Sequence, residues 1–205
     1  MPKLNFHRYD KSIREVMVKN NGHTIKVSSL NHYHPVITGA YDLKIHRLDQ
    51  KNVSGAWLPG SFKIEQLHFH WGNNSDFGSE HTIDSRRHPL EMHLVHYNAD
   101  YPDVQAAHDK MHGLAVVSVL FDISEEDNIH LEPIMQASKK VRKHKVETEK
   151  IDSDITLANL LPQSAAESFY IYNGSLTTPP CSETVIWIVV KERSTISECQ
   201  LRLFR

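Results

Sequence analysis

Cysteine is scarce: Cys181 and Cys199 are the only two in 205 residues, too few for a disulfide scaffold. Long apolar runs are missing as well. The longest of note, Val185-Ile186-Trp187-Ile188-Val189-Val190, falls far short of the roughly 20 residues a membrane-spanning helix needs. The N-terminus, Met1-Pro2-Lys3-Leu4-Asn5, lacks the apolar region of a signal peptide. There is no excess of one charge either: the formal net charge is -2, which gives no case for nucleic acid or an anionic membrane surface as partner. No internal repeat, low-complexity tract or linker breaks the chain. A 40% hydrophobic and 23% charged composition is an ordinary soluble balance, and the length favours one domain with a sizeable core.

What the chain does have is histidine, 15 residues spread along its length. Histidine is the commonest metal ligand and titrates near neutral pH, so the excess points towards metal or proton chemistry. Gln66-Leu67-His68-Phe69-His70-Trp71-Gly72 is flanked by Phe62 and Ile64, contains no proline and closes on glycine, the pattern of a strand. Gln66, His68 and His70 then share one face, and their imidazoles stand about 6–7 Å apart along the strand, close enough to converge on one metal ion.

Other strands are expected over Glu15 to Ser28 (a pair joined by the turn Lys19-Asn20-Asn21-Gly22), Gly39 to Leu48, Pro89 to Asn98, Leu114 to Phe121, Ser168 to Asn173 and Thr184 to Lys191. Lys51 to Gly60 and Asn73 to Ser79 read as loops. Helices are expected over Asp103 to His112, Ile129 to Val141 and Ser194 to Phe204. The basic residues Lys139, Lys140, Arg142, Lys143 and Lys145 suit a solvated helix C-terminus. Many strands with few short helices suggest one mixed domain built on a large sheet.

On the Pro89–Asn98 strand Glu91, His93 and Val95 share a face, with Met92, Leu94 and His96 on the other. His93 lies 23 residues after His70. Three neutral imidazoles leave one tetrahedral position of zinc free, as expected of a catalytic site. Gln66 beside His68 and Glu91 beside His93 are candidates to fix the tautomers.

Gln66-Leu67-His68-Phe69-His70-Trp71-Gly72, Gly78-Ser79-Glu80-His81-Thr82, Glu91-Met92-His93-Leu94-Val95-His96 and Ser175-Leu176-Thr177-Thr178-Pro179-Pro180 together resemble the α-class carbonic anhydrases, in that family's order and over most of the chain. The resemblance implies a β-dominated α+β domain around a large, mainly antiparallel central sheet. It implies Zn2+ held by His68, His70 and His93 and reversible hydration of CO2 to bicarbonate by zinc-bound hydroxide. Thr177 matches the family's gatekeeping threonine, which donates its proton to Glu80. His23 falls at the proton-shuttle position. Val95, Val116, Leu176, Thr178, Val185 and Trp187 match the substrate pocket, and sulfonamide-type inhibitors are expected.

The sequence departs from the family in length. Its match begins inside the usual domain and stops before the usual C-terminal strands, so a domain over residues 1–205 incomplete at both ends is expected, and Ser28 to Ser61 looks longer than its counterpart. In secreted and membrane-attached relatives a cysteine at the place of Cys181 pairs with one near the N-terminus, and Cys199 is a poor substitute. Cys181 and the Asn-x-Ser sequons at Asn52, Asn73 and Asn173 favour an extracellular setting. The alternatives to the enzyme are a non-catalytic carbonic-anhydrase-like binding domain, against which the presence of all three histidines argues, an inactive truncated product, and a different zinc hydrolase, which commonly needs a free carboxylate where the resemblance commits Glu80 to Thr177.

Overall fold

The structure is a computed structural model that describes residues 2–13, 16–20, 25–29, 51–144, 148–151 and 153–205. The expected strand over Gly39 to Leu48 and the expected shuttle His23 lie outside the described residues. In chain order the elements are β1 (Leu4–His7), β2 (Val16–Asn20), β3 (Ile25–Ser29), β4 (Asn52–Gly55), β5 (Phe62–Trp71), β6 (Leu90–Asn98) and α1 (Val104–Ala107). They continue with β7 (Leu114–Ser124), α2 (Glu132–His144), β8 (Thr148–Lys150), α3 (Leu157–Leu160), β9 (Phe169–Gly174), β10 (Val185–Val190), β11 (Ser194–Ser197) and α4 (Glu198–Phe204).

All the described strands join one sheet, in the order β8-β2-β3-β5-β6-β7-β10-β9, with β4 bridging β1 and β5, and β11 beside β7. Pairing is antiparallel except where β10 and β11 run parallel to β7. The expected β-dominated single domain around a mainly antiparallel sheet is therefore what forms. The middle strands have the sequences to sit there. From Leu114 to Phe121 β7 is buried on both faces, and every residue of β10 is buried.

β5 solves a parity problem visible in its sequence. Phe62 and Ile64 occupy even positions and Leu67 and Phe69 odd ones, yet all four are buried in one core. A strand of strict alternation cannot place both pairs on the same face. The register against β6 shifts between Ile64 and Gln66, and this irregularity lets the strand change parity. Downstream of it Leu67 and Phe69 enter the main core, and Gln66, His68 and His70 turn to the opposite face.

Several boundaries differ from expectation. The polar loop expected over Lys51 to Gly60 contains β4, because Val53 is wholly buried and stands opposite Phe6 on one side and Phe62 on the other. The last expected helix starts four residues late: Ser194–Ser197 pairs with β7 and buries Ile196. Ser197 then caps α4 in a capping box with Gln200, which fixes the helix start. The helix expected over Asp103 to His112 shortens to α1, capped by Asp103. β1, β8 and α3 had no periodic signal strong enough to find.

His96 sits on the core face of β6 without exposure. Its Nδ1 donates to the Ala115 carbonyl at 3.1 Å, and its Nε2 accepts from the Tyr9 hydroxyl. Burial pushes the His96 pKa down to about 4 and the Tyr9 pKa well up, so both stay neutral. Since the unfolded chain binds the His96 proton near its ordinary pKa of 6.5 and the folded chain does not until about 4, this stability is present above 6.5 and lost as pH falls through that window. Urea unfolding between pH 7 and pH 4 is expected to show the decline, with a shallower slope in His96→Gln. Tyr9→Phe, which leaves a buried acceptor unpaired, is expected to cost about 1–3 kcal/mol at pH 7.

Candidate metal centre

The ladder between β5 and β6 brings the three histidines together: His68 stands directly opposite His93, and His70 opposite Glu91. Sequence spacing could not show that these strands are neighbours; the structure does. His68 Nε2 and His70 Nε2 lie 3.1 Å apart, and the candidate ligand atoms of His68, His70 and His93 all lie within 4.8 Å of one another.

Which nitrogens carry protons follows from their partners. Gln66 Oε1 accepts from His68 Nδ1 at 3.0 Å, leaving Nε2 with its lone pair. Glu91 Oε1 accepts from His93 Nε2 at 2.6 Å, leaving the lone pair on Nδ1. Burial, with the neighbouring His93 adding to it, pushes the His70 pKa down to about 4, so this ring is neutral at pH 7. Tetrahedral zinc with Zn–N bonds near 2.0–2.1 Å places its nitrogens roughly 3.3 Å apart. Three imidazole nitrogen donors gathered this closely suit zinc, with the 3.1 Å pair already near that spacing, and Gln66 and Glu91 occupy the positions from which outer partners orient such ligands.

Glu91 is wholly buried and accepts five hydrogen bonds. The Glu80 and His81 backbone N–H groups donate to Oε2, each at 2.8 Å, while His81 Nδ1, His93 Nε2 and Ser118 Oγ donate to Oε1. Burial opposes ionisation, but the bonds from His81 and His93 outweigh it and hold the carboxyl well below the usual carboxylate range. The chain of bonds continues outward. Tyr172, kept protonated by burial and by Glu91 and Glu80, donates its hydroxyl to His81 Nε2 at 2.7 Å. Sequence reasoning assigned no role to His81, Ser118 or Tyr172. Ser118 did leave a mark, as the polar interruption of an otherwise apolar strand, and His81 stands next to Glu80.

Gly72 and Gly78 let the intervening loop fold back onto the sheet. A side chain at Gly72 would meet the Phe77 carbonyl at 1.9 Å, and one at Gly78 the Pro89 carbonyl at 2.1 Å. That close approach delivers Glu80 and His81 to the histidines. Glu80 Oε2 lies 3.4 Å from His70 Nε2 and 3.9 Å from His93 Nδ1. The hydrogen bond expected between Thr177 and Glu80 is not formed among the described residues. Thr177 and Thr178 are exposed, on a loop closed by its own bonds from Leu176 N–H to Ser182 O and from Cys181 N–H to Thr178 O.

The other expected pocket residues do come together. Val116, Val185 and Trp187 are buried in a small apolar cluster, with Val95 and Leu176 packed against it. The Trp187 ring centroid is 4.8 Å from those of His93 and His81, and its Nε1 donates to the Ser175 carbonyl. The histidine cluster is thus walled on one side by apolar groups. Glu91→Gln, which keeps the shape of this carboxylate and removes its charge, is expected to weaken zinc binding by about tenfold to a hundredfold in a chelator-competition titration.

Comparison with known proteins identifies the family. The family model for eukaryotic-type carbonic anhydrases matches residues 1–205. Carbonic anhydrase 6 of Mus musculus is 36% identical over 202 residues, 97% of this chain and 56% of that protein. Carbonic anhydrase 7 of Mus musculus is 38% identical over 192 residues, 92% of this chain and 64% of that protein. Receptor-type tyrosine-protein phosphatase zeta of Homo sapiens is 35% identical over 208 residues, 100% of this chain but 8% of that protein. The chain thus spans less than two thirds of each of these relatives. On the strength of the match along its whole length, the chain belongs to the eukaryotic-type carbonic anhydrase family.

Proposed function

We propose that this chain is a zinc enzyme for the reversible hydration of CO2 to bicarbonate and a proton. The observation that carries the reading is the convergence of three lone-pair-bearing imidazoles beside an apolar wall. His68, His70 and His93 would hold the metal. In known carbonic anhydrases zinc so held acts as a Lewis acid that brings the pKa of bound water to about 7. Gln66 and Glu91 keep the ligand protons on the outward nitrogens, so no tautomer change precedes binding. Val95, Val116, Leu176, Val185 and Trp187 offer CO2, which has neither net charge nor dipole, a surface that water does not favour. Thr177 is assigned to orient the attacking oxygen through Glu80, and His23 to carry the product proton to solvent, a task suited to a group titrating near neutrality.

A second reading, a non-catalytic zinc-binding domain of this family, is favoured by one observation: Thr177 is exposed and not bonded to Glu80, whose carboxylate lies against His70. The match to a small part of a receptor named for another activity is compatible with it. An extracellular setting is part of the proposal. Cys181 is exposed and free, as are the sequon residues Asn73 and Asn173 in exposure, whereas Asn52 is half-buried and its Oδ1 accepts from Ser61 Oγ.

Zinc content per chain and stopped-flow CO2 hydration on the same sample separate the readings. One zinc per chain with hydration that is lost in His93→Ala and inhibited by a sulfonamide is the expected result. Stoichiometric zinc without hydration would overturn the enzyme reading in favour of the binding domain. Thr177→Ala is expected to lower hydration with zinc content unchanged; an unchanged rate would remove Thr177 from the mechanism.

A further inference from the structure

We propose that a surface groove between the loop after β5 and the start of β6 binds a sugar that carries a phosphate or sulfate ester. The groove encloses about 430 Å³, and Ser75, Asp76, Arg86, Arg87, Asp122 and Ile123 line it. It shares no lining residue with the histidine cluster, and the proposal is independent of CO2 chemistry.

The two arginines are held by a stiff turn. Asp84 and Ser85 both have positive φ, 50° and 64°, and Ile83 and Arg86 exchange both backbone hydrogen bonds across them. This is a two-residue hairpin whose central residues must adopt the left-handed region, a conformation aspartate tolerates. Arg86 is exposed, and its guanidinium has no hydrogen bond or ion pair among the described residues. Arg87 gives Nη1 to the Ser79 carbonyl at 3.2 Å and keeps the rest of its fork. A guanidinium offers five donors in a plane, and two of them side by side match the oxygens of an ester phosphate or sulfate.

The acids of the groove decide what surrounds that anion. Asp122 is already engaged, ion-paired with Arg193 Nε on one oxygen and accepting from His88 Nδ1 at 2.9 Å on the other. Ser75 Oγ is likewise occupied, donating to Glu198 at 2.6 Å and accepting from Arg205. Asp76 is different: its carboxylate is exposed and unpaired among the described residues. It disfavours a bare dianion and accepts from hydroxyl groups, so the ligand it admits carries hydroxyls beside its charge. Ile123, exposed over 41% of its surface, gives the C–H face of a ring an apolar floor. The volume is within the range of small-molecule sites and far exceeds what an inorganic oxoanion needs.

The test is a titration of the intact chain followed by amide 1H–15N shifts, with inorganic phosphate, glucose 6-phosphate and N-acetylglucosamine 6-sulfate as probes. Saturable shifts at residues 75–76, 84–88 and 122–123 with at least one sugar ester are expected, and the arm that binds tighter identifies phosphate or sulfate as the charge. The double variant R86Q/R87Q, with an otherwise unchanged spectrum, is expected to bind about tenfold or more weakly. D76N is expected to narrow the preference for sugar ester over inorganic phosphate. No saturable shifts at these amides, or shifts that persist in R86Q/R87Q, would overturn the site. Inorganic phosphate binding as tightly as either ester would overturn the sugar assignment.

Discussion

A single buried charge organises the site half of this molecule. Stripping a carboxylate of water costs several kcal/mol even after the protein relaxes, and the Glu91 carboxylate is tolerated only because five donors replace that water. Those donors come from β6 itself, from β7 through Ser118 and from the loop that carries Glu80 and His81. The requirement to satisfy Glu91 therefore fixes the position of the loop against the sheet, the register of β6 on β7 and the orientation of the His93 ring. Any ion placed among the histidines inherits that arrangement.

The same sheet keeps its two tasks on opposite faces. Leu90, Met92 and Leu94 of β6 belong to the main core, with Val117 and Val119 of β7 and Ile186 and Ile188 of β10. The alternate residues Glu91, His93, Val116, Val185 and Trp187 face the histidines or the small apolar cluster beside them. Stability and chemistry are thus separated by one residue of alternation, and the register irregularity in β5 is what brings Gln66, His68 and His70 into line with that division.

This division explains what the sequence could disclose. The His68 and His70 pair, the alternation of β6 and the apolar run of β7 are local patterns, and each is legible because burial on a strand has a period of two. Pairing across strands has no local signature, so spacing alone does not show that His68 stands opposite His93. β4 has no clear strand signature because Asn52 and Ser54 look like loop residues and only Val53 is buried. β11 looks like helix in the sequence because its four residues run straight into a capped helix. His81 and Tyr172 act through contacts with residues far along the chain, and no spacing in the sequence announces them. The Thr177 loop shows the reverse limit: its motif is plain, yet a motif specifies residue identity and not the rotation of a side chain towards Glu80.

The placement of all three histidines on two neighbouring strands has a kinetic meaning. A site assembled from separate lobes opens and closes as the lobes move, so ligand residence follows hinge motion. Here the donors belong to one hydrogen-bonded ladder in the interior of the sheet, His68 and His93 on one rung and His70 two rungs along, and they cannot separate without breaking it. An ion held at this position would enter and leave by exchanging bonds in a fixed frame. Its lifetime there would be governed by ligand substitution and access from solvent.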